Sequence, residues 1–234
     1  MKRIIFATLS VLSICLTSCD DGLIYKEVAY NTVGRSAKLE GKITGIDNWA
    51  EGYTIAIAGF TEDDDYASIS KAVQTDKEGN ASVIMTNIPD EVTSVQLCVL
   101  DRLRRHVMTF YEADIEGVRD TIRMEVGTVN ASMFNAIQQS YLSTTCANCH
   151  GAAAQAAAGL YLTEGRSYQA LVEQPSAKVE GQKIVEVNQA AKSVLYQVLS
   201  SNLTAGWRYN HQAEVPSADL QLLIANWINS GAKE

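Results

Sequence analysis

Two thiols and an imidazole stand together at Cys146-Ala147-Asn148-Cys149-His150, a spacing that few chemistries need. Two intervening residues set the sulfurs about one helical turn apart. That separation suits the two vinyl groups of a haem, each thiol closing a thioether while the adjacent histidine turns toward the iron, the C-x-x-C-H arrangement of covalent haem attachment. Two other chemistries use the same residue types. A dithiol redox pair follows a core strand and opens a helix, whereas residues 131–145 read as helix. A structural zinc ion takes four ligands at tetrahedral angles. Neighbouring Cys149 and His150 are poorly placed to share one, and His106 and His211 are the other imidazoles in the chain. One covalently bound haem c is the expected cofactor, with Cys146 and Cys149 as its anchors and His150 as the proximal iron ligand.

Attachment of this kind in bacteria requires export, and the start of the chain bears on it. Lys2 and Arg3 precede an apolar stretch over 4–16, too short to span a bilayer comfortably, and Leu16-Thr17-Ser18-Cys19 closes it with small residues before a cysteine. This resembles a bacterial lipoprotein signal with its lipobox. The resemblance implies cleavage before Cys19, lipid on the Cys19 sulfur and a membrane-anchored chain in the cell envelope, facing the periplasm or the cell surface. An ordinary secretory signal or an uncleaved anchor keeps the export inference. Of the five cysteines, Cys15 leaves with the leader, Cys19 takes lipid, and Cys146 and Cys149 take haem. Cys98, inside the apolar run 95–100, is expected to be a buried, inert thiol.

A net charge of -8 and a pI near 5.0 argue against a nucleic-acid partner, because neutralising phosphates takes clustered Lys and Arg. The basic cluster Arg102, Arg104 and Arg105 lies beside Asp101 and reads as a solvated strand edge. The expected organisation is a signal over 1–18, a tether over 19–35, a β-sandwich over 36–128 and a haem domain over 129–234. Seven runs rich in β-branched and aromatic residues, 38–46, 53–60, 66–74, 81–85, 92–100, 105–111 and 121–126, predict short strands between turns. Residues 76–80 are the clearest turn, with Gly79 able to take positive φ. The run 75–83 followed by Asn87-Ile88-Pro89 is similar to carboxypeptidase regulatory-like or transthyretin-like modules. That likeness implies no catalytic residues; a spacer or partner-docking role fits it. The acidic run 62–65 lacks the spaced oxygens of a calcium loop and reads as a solvated hairpin tip. Trp49 reads as a partly buried sandwich aromatic.

Past Gly127 the pattern turns helical. Asn130 is the expected cap of a helix carrying Phe134, Ile137, Gln138 and Tyr141 on one face and leading into Cys146. Further helices are expected around Tyr168, Leu171 and Val172, over 193–199, and from Ser217 as N-cap through the stripe Leu220, Leu223, Ile224, Trp227 and Ile228 to Gly231. The words Cys146-Ala147-Asn148-Cys149-His150-Gly151, Ala158-Gly159-Leu160-Tyr161-Leu162, Ser193-Val194-Leu195-Tyr196 and Trp227-Ile228-Asn229-Ser230-Gly231-Ala232 resemble small class I cytochrome c domains of bacterial surface proteins. The resemblance covers residues 130–234. It implies an all-α fold with the first and last helices crossing, and an apolar haem wall from Leu160, Leu162, Leu195 and Trp227. It also implies a methionine as sixth iron ligand some seventeen residues before the tryptophan. Here that region reads Trp207-Arg208-Tyr209-Asn210-His211-Gln212, and no methionine follows Met133. His211 is the expected replacement, with an open or water-bound iron and Tyr209 as alternatives. Arg208 is a candidate partner for a haem propionate.

The expected fold class is therefore two domains, an all-β sandwich followed by an all-α cytochrome c-like domain. The expected function is that of an exported, lipid-anchored electron carrier, not an enzyme, exchanging single electrons with a redox partner protein the sequence does not identify. Two alternatives accompany it. A five-coordinate iron would suit gas sensing or peroxidase-like turnover, and the β-domain could make the chain a binding or assembly lipoprotein.

Overall fold

Ala81, Val83 and Met85 recur at every second position, a period that suits an extended backbone with one face buried, since successive side chains of a strand point to opposite faces. Asn80–Ile88 is such a strand, β4, with Ala81, Val83 and Met85 inside. The structure is a computed structural model and describes residues 34–151, 156–201, 209–214 and 217–234. The described residues form seven strands: β1 (Arg35–Thr44), β2 (Thr54–Phe60), β3 (Ile69–Ala72), β4, β5 (Ser94–Leu100), β6 (His106–Ala113) and β7 (Thr121–Asn130). One sheet has the order β4-β1-β7, with β1 antiparallel to β4 and parallel to β7. The other is antiparallel throughout, in the order β3-β2-β5-β6. Leu39, Ile43, Met85 and Met124 of the first share one core with Ile55, Ile57, Leu97 and Val99 of the second.

β2 and β5 are buried on both faces. The far side of their sheet carries Ala56, Ala58, Cys98 and Leu100, closed over by Phe60 and Ala67. Cys98 is fully buried there, and desolvation pushes its thiol up to about 12, which leaves it protonated and inert. The 76–80 turn is built as its residues dictate: Asp76 Oδ1 accepts from Glu78 N at 2.9 Å and Asn80 N at 2.8 Å, and Gly79 takes φ 87°.

The expected all-α second domain is corrected by the structure. From Gly34 to Glu234 the chain forms one compact unit of mixed strands and helices. Its helices are α1 (Met133–Ile137), a π-helical run (Gln138–Cys146), α2 (Ala147–His150), α3 (Ser167–Leu171), α4 (Val194–Ser200) and α5 (Ala218–Asn229). The first three of these run on without a break over 133–150 and α5 takes 12 residues, whereas α3 and α4 take 5 and 7. The connecting backbone is held by 3₁₀ turns and by the isolated bridges Val172↔Val185 and Pro175↔Lys183. Helices this short do not stand alone in water, and these lean on the strands. Their core takes in Trp49, Tyr53 and Val107.

Polar contacts secure the seam. Trp49 Nε1 donates to Ala131 O at 2.6 Å, Asn226 Nδ2 to Tyr53 Oη at 3.0 Å and Asn48 Nδ2 to Glu234 O at 2.7 Å. Gly45 makes the approach possible, because a Cβ on it would stand 2.6 Å from Ser132 N. The first helix is capped by Ser132, whose Oγ accepts from Asn135 N, and not by the expected Asn130. The reason is that β7 runs through Asn130, whose Oδ1 instead accepts from Ser132 N. Ser217 does cap α5, accepting from Leu220 N.

Arg105 of the β5–β6 turn grips Asp219 of α5 with two hydrogen bonds, at 3.0 and 2.9 Å. That fork holds the Asp219 carboxyl below its ordinary range. A depressed carboxylate adds stability above its unfolded pKa and loses it as pH falls through the folded value, while Arg105 stays charged throughout. Because Asp219 is largely exposed, screening keeps the effect small. Asp219→Asn is expected to lower Tm by a few degrees at most at pH 7, with the gap to the parent closing below about pH 4 in a calorimetric series.

Candidate functional site

The helical run 133–150 carries the motif, and its middle is wound in the π register. Ser140 Oγ bonds back to Ala136 O at 2.7 Å and Thr144 Oγ1 to Ser140 O at 2.9 Å. Residues five apart align in this register, so Tyr141 comes against Cys146, within reach of its thiol. Tyr141 is buried, and its hydroxyl donates to Glu214 O at 3.4 Å. Burial raises the Tyr141 hydroxyl and pushes the Cys146 thiol up to about 12. Cys149, one turn on, is exposed, and no disulfide joins the two.

His150 is oriented by its backbone neighbours. Its Nδ1 lies 2.9 Å from Ala157 O, and because a carbonyl can only accept, Nδ1 carries the proton and Nε2 keeps its lone pair for a metal. Leu162 N donates to His150 O at 2.7 Å. Buried Gln138 ties the same segment down, donating to Leu162 O at 3.1 Å and accepting from Ser167 Oγ.

These residues face a cavity of about 780 Å³. Pockets for small molecules and cofactors span about 300–1,000 Å³. Cys146, Cys149 and His150 line it together with Leu160, Leu162, Ile184, Val194, Leu195, Val198 and Leu199, and with Tyr209, His211 and Glu214. Ser176, Ala177 and Lys178 also line it, and Lys178 is exposed. His211 begins the 3₁₀ turn His211–Glu214. The His150 and His211 ring centres are 6.2 Å apart, with 31° between their planes. Imidazole nitrogen binds a first-row metal such as zinc at about 2.0–2.1 Å, and the ring centre lies roughly 1.1 Å behind it, so rings on opposite sides of one ion stand about 6.3 Å apart. Burial first, and the charge of His150 second, lower the His211 pKa and favour the neutral form that binds metals. Tyr209 packs edge-on against His211 at 5.3 Å and donates its hydroxyl to Glu214.

Two imidazoles with ring centres 6.2 Å apart, two thiols one turn apart and apolar walls are a lining that a covalently held haem would fit. Among the described residues no group of three or more His, Cys, Asp or Glu side chains is arranged to hold a metal ion by itself. A haem iron takes four ligands from its ring and asks the protein only for axial ones.

Of the residues singled out in the sequence, Cys146, Cys149, His150, Leu160, Leu162, Leu195 and His211 all line this cavity. Trp227 does not. It is fully buried against Phe134 at 5.1 Å, with Nε1 donating to Lys233 O at 2.8 Å. Arg208 and Cys19 lie outside the described residues. Tyr141, Lys178, Ile184, Val198, Leu199 and Glu214 were missed. Val198 and Leu199 stand three and four residues after Leu195, a helical spacing that marks them; Lys178 and Glu214 carry no such signal. Among the described residues no helix is long and apolar enough to cross a membrane. Comparison with known protein families, curated proteins and solved structures finds no match to this chain.

Proposed function

We propose that this chain binds one haem c covalently and serves as a one-electron carrier at the cell envelope, anchored there by lipid on Cys19. The observation that carries the reading is the placing of Cys146, Cys149 and His150 on the wall of one apolar cavity with His211 facing His150 at 6.2 Å. When bound, haem supplies an iron that changes charge by one electron. The chain's own residues do the rest. Cys146 and Cys149 would hold the haem through thioethers, each S–H adding across one vinyl C=C. Ala157 O fixes the His150 tautomer, which strengthens Nε2 as a donor. Leu160, Leu162, Leu195 and Val198 exclude water, and a dry pocket with His150 held in place by Ala157 O would limit rearrangement between oxidation states. Lys178 offers a cation for a propionate.

Absorption and EPR spectra of the protein, produced with a haem-attachment system, test the proposal. Low-spin signals in both oxidation states, no methionine–iron band and no response to carbon monoxide are expected. His211→Ala is expected to turn the ferrous protein high-spin and open it to carbon monoxide, whereas an unchanged spectrum would remove His211 from the coordination sphere. Methionine/histidine pairs give the high-potential haems, so His211→Met is expected to raise the reduction potential. Mass spectrometry of the mature N-terminus tests the lipid: a diacylated Cys19 is expected, and an unmodified one would overturn the anchor.

A further inference from the structure

Among the described residues, five large apolar side chains are strongly exposed, and three of them gather around Arg105. Tyr66, 47 % exposed, forms a backbone bridge with Arg105. Leu103, 71 % exposed, stands two residues before it. Leu222, 54 % exposed, lies one helical turn beyond Asp219, the residue Arg105 grips, and so on the same side of α5. Soluble surfaces scatter such side chains singly, and a group of them marks a contact site.

The charges around the group are ordered. The segment 65–67 runs antiparallel to 104–106, with His106 N donating to Asp65 O at 2.8 Å and Ala67 N to Arg104 O at 3.0 Å. Exposed Glu62, Asp63 and Asp65 therefore lie at the His106 end of the patch, and exposed Arg102 and Arg104 at the Leu103 end, with Tyr66 between. Arg105 is already matched by Asp101 and Asp219. Among the described residues Arg102 pairs with Glu51 at 3.7 Å, with both side chains highly exposed. The Leu103 tip is also rigid, because Asp101 Oδ1 accepts from both Leu103 N and Arg105 N at 2.9 Å. Preorganisation of this kind reduces the ordering cost of association.

We infer that this face is a two-fold interface between two copies of the chain. A two-fold axis near Tyr66 lays the acidic run of each copy over Arg102 and Arg104 of the other. Tyr66, Leu103 and Leu222 then close the centre, an apolar middle with a charged rim. The partner this surface asks for carries an apolar centre between an acidic and a basic end, and the surface itself has that description. An anionic bilayer would meet like charge at residues 62–65. Chains of net charge -8 repel at long range, so the local match must supply the specificity. The inference is independent of haem.

Sedimentation equilibrium of the full chain in density-matched detergent tests it. The parent is expected to be dimeric in the micromolar range. Arg102→Glu/Arg104→Glu and Glu62→Lys/Asp65→Lys are each expected to weaken association at least about tenfold. An equimolar mixture of the two variants is expected to recover the dimer, which also shows that both are folded. A parent that stays monomeric up to about 100 µM, variants that remain dimeric, or a mixture that fails to recover would each overturn the interface.

Discussion

Replacing Cys146 and Cys149 together by serine is expected to leave a chain with no haem that survives denaturation, against one haem per chain in the parent. The readouts are haem staining of a denaturing gel and intact mass. The effect is all-or-none because serine oxygen does not form the thioether that would make attachment covalent, even where His150 and His211 could still bind the iron. Single variants separate the two thiols. Each keeps one link and leaves one vinyl group conjugated with the ring, which moves the absorption bands to the red of the parent. Cys149 is exposed and Cys146 half-buried beside Tyr141, so Cys146→Ser also disturbs packing and is expected to melt earlier than Cys149→Ser. A parent protein that carries no covalent haem when made alongside a haem-attachment system would overturn the proposed function outright.

The strands were legible because their signals are local. Each of the seven apolar runs overlaps one strand, although β1, β4, β6 and β7 extend beyond theirs, and the 76–80 turn follows from an Asp side chain that reaches Asn80 N and a Gly able to take positive φ. The pairing was not legible. β1 lies parallel to β7, with Ser36 opposite Thr121, a partnership that nothing within either segment announces. The helical part shows the same division. Ser217 and the stripe on α5 declare a cap and a buried face, whereas Pro175, Gly165 and Gly181 already interrupt the segments between helices. An all-α domain needed long helices to bury each other. Trp49 and Tyr53 of the β1–β2 connection and Val107 of β6 supply the missing apolar partner.

At the site, residue chemistry was more informative than periodicity. Spacing marked Cys146, Cys149 and His150 as candidates, the cytochrome c resemblance marked His211, and the structure lines one cavity with all four. Tyr141 was not, because a five-residue offset from Cys146 puts the two side chains on different faces of an α-helix and together only in the π register the chain adopts here. Trp227 was placed in the cavity wall on the strength of a resemblance. Its ring instead fills the space between α1 and α5, where Phe134 and the C-terminal backbone enclose it.

That relocation fixes what Trp227→Ala does. The side chain is 1 % exposed and among the largest fully buried ones. Truncating a buried Trp to Ala typically costs about 3–5 kcal/mol in transfer and cavity terms. For a chain of this size that is a fall in Tm of roughly 6–20 °C, measurable by calorimetry. The indole also anchors the chain end through Lys233 O, and Ala232 N returns a hydrogen bond to Trp227 O at 2.9 Å. Trp227→Phe keeps most of the volume but leaves that carbonyl without its donor, and is expected to cost about 1–3 kcal/mol. A haem-wall role and a core role differ in what accompanies the loss. Because Trp227 lies outside the cavity lining, the folded fraction of both variants is expected to keep the parent's absorption maxima and reduction potential while melting earlier. A shifted potential with unchanged melting would return Trp227 to the haem wall and displace the packing described here.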